Sequence, residues 1–469
     1  MEHKIATDLT GNMNYFRERL GIRKSFDLIC RTTMVAGRQA CFFFIDGFIK
    51  DDIMQKLMEF FYSLTPEDLP EDSGGLSRDA MPYVEVELLS GRDEIEKNIL
   101  SGVLCLFIDG YDKCFAIDCR TYPMRSVSEP EKDKALRGSK DGFVETVVFN
   151  TALIRRRIRD PHLVMEMQQA GSSSKTDIVL CYMDDRADLA FVQELKSRLS
   201  NLKVDALTMN QESLVECLYR RKWLNPFPKV KYSERPDTAA ASVLEGKVAI
   251  LVDNSPAAVI LPVSIFDITE EADDFYFPPV TGTYLRLTRL LIAVLTLTLT
   301  PTWLLLMENP QWIPGVFDFI KVEGDINIPL LYQLLLLEIG IDGLKLAAIN
   351  TPNMLTTPLS VIAALVMGEF AVNSGWFNSE AMLYMAFVAI ANYTQSSYEL
   401  GYALKFMRMI LLVLTGVFGV YGFAAGILFT VLVIGCNRTI SGKSYLYPLV
   451  PFDGKQLARR IFRKRISFE

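Results

Sequence analysis

Histidine is almost missing from this chain: of 469 residues, only His3 and His162 carry an imidazole. A histidine metal site or a Ser-His-Asp triad needs imidazoles in a number or context that is absent, which argues against both. An excess of positive charge is missing too. Lys and Arg total 49 against 56 Asp and Glu, a formal net charge of -7, whereas a nucleic-acid binder usually shows a basic domain. The first twenty residues, MEHKIATDLTGNMNYFRERL, lack the apolar core of a secretory signal, so the long N-terminal part is expected to stay in the cytoplasm. Metal spacing is missing among the cysteines from Cys30 to Cys217, which read as reduced core thiols. The stretch GSSSKT at 171–176 has the look of a phosphate loop but lacks the Gly-Lys pair. It also reads as following a helix and preceding a strand, the wrong order for that loop. No cofactor and no metal is expected, and the chain does not read as an enzyme.

What is present is apolar sequence, half of the residues, distributed unevenly. Residues 1–283 read as ordinary soluble sequence and residues 284–445 are mostly long apolar runs. In the soluble part, CFFFIDGFI (41–49) predicts a buried strand, and VLCLFIDGYDKCFAIDC (103–119) and KVAILVDNSPAAVILPV (247–263) predict hairpins. TDIVLCYMDD and KVDALTM predict further strands, and FVETVVFNTALIRRRIRD (143–160) a helix. The polar stretch 125–142 reads as a linker. The expected fold is a two-part α/β domain, 1–130 and 138–283, on the cytoplasmic side. An all-α, multi-span membrane domain, 284–445, follows it with about four to six membrane helices. Residues 446–469 form a basic amphipathic tail that resembles an interfacial anchor. The arginines 155, 156, 157 and 159 read either as a solvated helix face or as a surface docking to anionic lipid or a neighbouring subunit.

Six apolar segments can be drawn: 285–307, 330–350, 358–372, 381–394, 401–420 and 422–436. With six spans the cationic segments all fall cytoplasmic, as the positive-inside rule asks, and both termini share that side. The second segment carries Glu338, Asp342 and Lys345 at helical spacing, on one face. Such a face turns away from lipid. It either pairs with Lys405 or Arg408 of the fifth segment or borders a water-filled path. Helix 358–372 offers a narrow stripe, Ser360, Ala364, Met367, Gly368 and Ala371, with Glu369 beside it. Small residues allow close helix packing or ring an axis, and a ring of carboxylates favours cations.

Several blocks, in order, resemble a known family: GSKDGFVETVVFNTALIRRRIRD, WLNPFPKVKYSERPD, LEGKVAILVDNSP, PPVTGTYLRLTR, SYELGYALKFMRMI and SYLYPLVPF. They are similar to the A subunits of bacterial spore germinant receptors, the GerA family, over nearly the whole chain. The resemblance implies a multi-pass protein of the spore inner membrane acting in germination. It implies a homo-oligomer, a pentamer in the family view, around a path for monovalent cations, with helix 358–372 as the pore helix. It also implies work with germinant receptor subunits or a small membrane partner, boosting ion release. This chain has Glu369 where the family often has Gln or Asp, and Ser396 where it often has Pro. The competing reading is a non-conducting scaffold or receptor subunit that organises the germination complex.

Overall fold

The computed structural model describes residues 4–81, 83, 85–120, 136–218, 225–352 and 356–463. It forms two compact units. The first comprises Met1–Arg221 and Val230–Pro262, the second Lys222–Lys229 and Val263–Glu469. The second unit thus begins before residue 284, where the long apolar runs start.

The first unit holds one module twice. The first copy runs α1 (Leu9–Arg19), β1 (Leu28–Val35), β2 (Arg38–Ile45), α2 (Asp51–Ser63), β3 (Val86–Leu89), α3 (Arg92–Leu100), β4 (Leu104–Ile108) and β5 (Cys114–Ile117). The second runs α4 (Val147–Arg157), β6 (Leu163–Ala170), β7 (Thr176–Met183), α5 (Leu189–Ser200), α6 (Asn210–Leu218), β8 (Lys231–Ser233), α7 (Pro236–Leu244), β9 (Val248–Val252) and β10 (Ala258–Leu261). Their sheets have the same order, β1-β2-β4-β5-β3 and β6-β7-β9-β10-β8. Every ladder in both is antiparallel.

The same polar device opens each copy. Asn12 Nδ2 donates to the Ala6 carbonyl at 2.6 Å and its Oδ1 accepts from Ala6 N at 3.0 Å. Asn150 does the same to Val144, at 2.6 and 2.8 Å. The first residue of α1, Leu9, donates its N–H to Asp109, and the first of α4, Val147, donates to Asp253, both at 3.1 Å. In each hairpin turn the next residue, Gly110 or Asn254, has positive φ. A carboxylate on a helix N-terminus satisfies an orphan donor and favours the helix dipole.

The buried strand over CFFFI is β2. Ala40 and Phe42 enter one core, and Cys41, Phe43 and Ile45 the other. A strand covered on both faces shows a continuous apolar run in place of alternation. The strand expected over KVDALTM does not form. Its carbonyls at Val204 and Asp205 accept from Ser172 and Ser173 in the β6–β7 turn, so its backbone is satisfied without a ladder. That turn is GSSSKT, which follows strand β6, not a helix, and leads into another strand. Arg155, one of the four arginines, is fully buried and is no part of a solvated face. It donates from Nε and Nη2 to Asp27 at 2.8 and 3.0 Å, and from Nη1 to the Leu163 carbonyl at 3.0 Å. The arginine of copy two thereby grips copy one. Phe26 N adds a bond to Met165 O at 3.0 Å along the β6 edge.

The second unit is helical: α8 (Ile265–Thr269), α9 (Asp273–Tyr276), α10 (Pro279–Glu308), α11 (Leu330–Asn350), α12 (Thr356–Ala364), α13 (Ser379–Asn392), α14 (Tyr398–Gly435) and α15 (Gly454–Ile461). After α12 the helix continues through a π turn, Leu365–Phe370, to Ala371–Asn373. Helix α14 reverses at Gly419, with φ 55° and ψ −132°. The reversal is tight: a Cβ on Gly422 would lie 1.8 Å from the Leu414 carbonyl oxygen. Among the described residues the chain therefore makes six helical passes, at 279–308, 330–350, 356–373, 379–392, 398–418 and 420–435. By length and composition α10 and α14 are apolar enough to cross a membrane, α14 being folded in half.

Hydrogen bonds fix which ends of these passes meet. At one end, Ile265 N donates to Tyr445 O at 3.0 Å and Ser396 Oγ to the Ile268 carbonyl, so α8 touches both sides of the α14 hairpin. At the other, buried Gln333 and Asn378 bond reciprocally at 2.8 Å, Asn327 reaches Gly375 O at 3.2 Å, and Trp303 Nε1 reaches Ile320 O at 3.0 Å. The chain enters and leaves the bundle at the first end. The tail docks there too. Arg460 pairs with Asp267 at 2.9 Å and Glu270 at 2.7 Å, while Asp274, fully buried, meets Arg286 and Arg289 at 3.3 and 3.1 Å. Arg463 donates to the Phe275 and Phe277 carbonyls. Within the tail expected as an interfacial anchor, Arg460 and Arg463 face protein because the α8–α9 segment supplies the carboxylates and carbonyls. Residues 464–469 lie outside the described residues.

Candidate functional site

Two features of the helical unit bear on function: a buried charge network and a helix with many exposed apolar side chains among its described residues. The network joins the second pass to the fifth. On α11, Glu338 and Asp342 are one turn apart, and on α14, Lys405 and Arg408 are likewise one turn apart. Arg408 Nε and Nη2 both bond Glu338 Oε1 at 2.6 Å, and Lys405 Nζ lies 3.3 Å from Oε2. Lys405 also pairs with Asp342 and donates to the Glu338 carbonyl at 3.2 Å. Glu338, Lys405 and Arg408 are all at least 95 % buried. Two carboxylates facing two cations leave the cluster neutral, the condition under which charge survives in an apolar bundle.

Helix α10 closes the network. Arg408 Nη1 donates to the Thr296 carbonyl at 2.8 Å, just below the point where Pro301 interrupts the helix ladder. Sequence reasoning missed this third partner, since a backbone carbonyl leaves no mark in a residue pattern. It also missed the Gln333–Asn378 clamp, although a glutamine in an apolar helix is itself a signal of a buried partner. Lys345 does not join the network. Its ammonium sits over the rings of Tyr393, 4.8 Å to the centroid, and Tyr402, 5.9 Å. An amine over aromatic faces keeps favourable electrostatics without a carboxylate.

The 356–373 helix is placed differently. Val361, Ile362, Ala364, Leu365, Val366, Glu369 and Phe370 are exposed, and Gly368 and Ala371 half-buried. Its exposed apolar side chains leave one face on which the described residues, Ala363 and Ala371, are half-buried. A Cβ on Gly368 would meet nothing within 4 Å. The π turn spans Leu365–Phe370, which includes Gly368 and Glu369; such turns are frequent at functional sites. The side chains of Ser360 and Met367 lie outside the described residues.

Comparison with known proteins finds relatives over nearly the whole chain. The chain is 36% identical to stage V sporulation protein AF of Bacillus subtilis over 455 residues, 96% of this chain and 92% of that one. It is 26% identical to spore germination protein B1 of Bacillus subtilis, over 98% of this chain and 95% of the relative. It is 27% identical to spore germination protein KA of the same organism, over 82% and 70%. The crystal structure of the N-terminal domain of the A subunit of the Bacillus megaterium spore germinant receptor GerK3 is similar to 56% of this chain, with 25% identity and a TM-score of 0.43, over 97% of that domain. A family model, Bacillus/Clostridium GerA spore germination protein, matches residues 14–469, and the chain belongs to that family.

Proposed function

We propose that this germination protein is a multi-pass protein of the spore inner membrane, its termini cytoplasmic, and that copies assemble so that the 356–373 helices line an ion-conducting axis. Its role is to promote or amplify release of monovalent cations, together with germinant receptor subunits or a small membrane partner. The observation that carries this reading is the state of that helix in a single copy: Val361, Ile362, Leu365, Val366 and Phe370 are exposed, beside the exposed carboxylate of Glu369. A membrane pass with a charge has a low-energy place only where that charge meets water or a partner. An axis shared by several copies supplies both water for Glu369 and apolar neighbours for the remaining faces.

The buried network then has a structural task. It ties α11, the pass preceding the 356–373 helix, to α10 and α14, so that the axis-lining helix hangs from a fixed frame.

The test is flux. Purified protein in liposomes should pass potassium or sodium. Met367→Ala should leak more, since an apolar constriction gates by excluding water, and Glu369→Gln should change ion preference more than assembly. Assembled protein that conducts neither ion, with both variants behaving like the parent, would reject the pore and leave the scaffold reading in its place.

A further inference from the structure

The duplicated module supplies an internal comparison for one cluster the germination reading does not use. Four thiols, Cys30, Cys41, Cys105 and Cys114, lie on four successive strands and on one face of the first sheet, all against a single core. Aligning the ladders of the two copies places Met165, Val179, Ala249 and Ala258 at the same four positions. The module therefore folds and packs without sulfhydryls there. What the first copy has at these four positions, and the second has not, is a set of thiols; the second copy's Cys181 and Cys217 stand elsewhere.

The outermost pair is arranged for it. Cys30 Sγ is 3.0 Å from Cys41 Sγ, across neighbouring strands β1 and β2. Arg17 Nε, from α1, lies 3.2 Å from Cys30 Sγ. Arg17 is the counterpart of Arg155 in the equal-length helix of the second copy, where the guanidinium holds Asp27. In the first copy the same position is turned to a sulfur. Cys30 is partly exposed and Cys41 is buried behind it. The hydrogen bond from Cys41, aided by Arg17 and opposed by partial burial, draws the Cys30 thiol down to about 7, while Cys41 is pushed up by the same bond and by burial. A guanidinium beside a part-exposed thiol is the setting in which cysteines become nucleophiles.

We propose that Cys30 and Cys41 form a thiol–disulfide exchange site for a low-molecular-weight disulfide, Cys30 attacking and Cys41 resolving. Cys30 thiolate attacks one sulfur of the reagent; the reagent's S–S bond breaks and its other half leaves as a thiolate that takes up a proton. Capture removes the negative charge from Cys30, and with it one of the causes that hold the Cys41 proton. Cys41 then loses that proton to solvent, attacks the Cys30 sulfur and expels the second half of the reagent as a thiolate, which takes up a proton from solvent. Two protein thiols are oxidised to one disulfide and one small disulfide is reduced to two thiols.

Full-length protein in detergent, treated with oxidised glutathione and digested without reductant, tests this. Parent protein should yield a Cys30–Cys41 linked peptide and two equivalents of reduced glutathione. Cys41→Val, which installs the residue the second copy uses, should stop at a glutathione adduct on Cys30. Arg17→Gln should slow capture about tenfold, through a smaller thiolate fraction. An adduct that forms first on another cysteine, or a Cys41→Val protein, folded by circular dichroism, that gains none at Cys30 even at about pH 9, where a thiol without the Cys41 bond is ionised, overturns the proposal. So does an Arg17→Gln protein that reacts as fast as the parent.

Discussion

Both donors that Arg408 turns to Glu338 land on the same oxygen, Oε1, leaving Oε2 to Lys405. Loss of Arg408 leaves a carboxylate that is 2 % exposed with Lys405 as its one remaining cation among the described residues. Arg408→Leu should lower the stability of purified protein by about 3–5 kcal/mol, as breaking one side of a buried pair does. Lys405 limits the loss to the extent that it swings over. Glu338→Gln combined with Arg408→Leu should recover part of it. Thermal unfolding in detergent measures both, and a single variant that melts with the parent would show the network to be peripheral.

At the α14 reversal, two glycines should respond differently. Gly419 has open space around its Cα but a positive φ with ψ −132°, a conformation side chains rarely adopt, so Gly419→Ala should cost about 1–3 kcal/mol in backbone strain. Gly422→Ala puts a methyl on the Leu414 carbonyl and should prevent the two halves from closing. Yield of folded protein on gel filtration separates the two. Equal yields would mean that the hairpin is open in solution.

Because the same asparagine device opens both modules, its removal should be felt equally in each. Asn12→Ala and Asn150→Ala each leave a backbone N–H and a carbonyl without their partner, at a cost of about 1–3 kcal/mol. Arg155→Gln should cost more than either, since it leaves Asp27 buried with its charge. Urea unfolding of the full chain, followed by tryptic accessibility of residues 4–262, gives the ranking. Arg155→Gln milder than the asparagine variants would contradict it.

Part of this was legible before any coordinates. Glu338, Asp342 and Lys345 fall four and three apart, which puts them on one helix face, and Lys405 and Arg408 are cations within the fifth apolar segment. Charge alone left pairing between the two helices and a water-filled path both open, and the structure shows the pairing. Which cation takes which oxygen did not follow from charge, nor did the departure of Lys345 to two tyrosines, because these depend on helix rotation. Arg155 was hidden by its neighbours. Four arginines in five residues look solvated, and only the sheet edge behind α4 shows that one of them points inward. The repeated module left almost no trace in identity. What the copies share is a turn of φ, an asparagine and an aspartate, scattered among residues that only need to be apolar.

The exchange site predicts a pH profile. A thiol with its proton held at about 7 is mostly thiolate above that value. The rate of alkylation at Cys30 by iodoacetamide should reach half its maximum near pH 7, while an ordinary thiol does so at about 8.5. The charged and titratable groups set against it are Arg17 from α1 and Cys41 from β2. Lowering the pH through 7 protonates Cys30 and removes its attraction to Arg17, so reactivity falls on the acid side. Site-resolved mass spectrometry reads the profile; a midpoint near that of a free thiol would contradict it.

The sharp turn at Gly419 has one more effect. Since the last two passes join there without a loop, the end of the bundle opposite the chain's entry is built chiefly from residues 309–329. That segment displays Trp312, Phe317 and Phe319 beside Asp318, Glu323 and Asp325, with Lys321 as its single cation. Whatever approaches from that side reads one short acidic and aromatic stretch. Sequence drift there can change what the protein greets without disturbing how it is built.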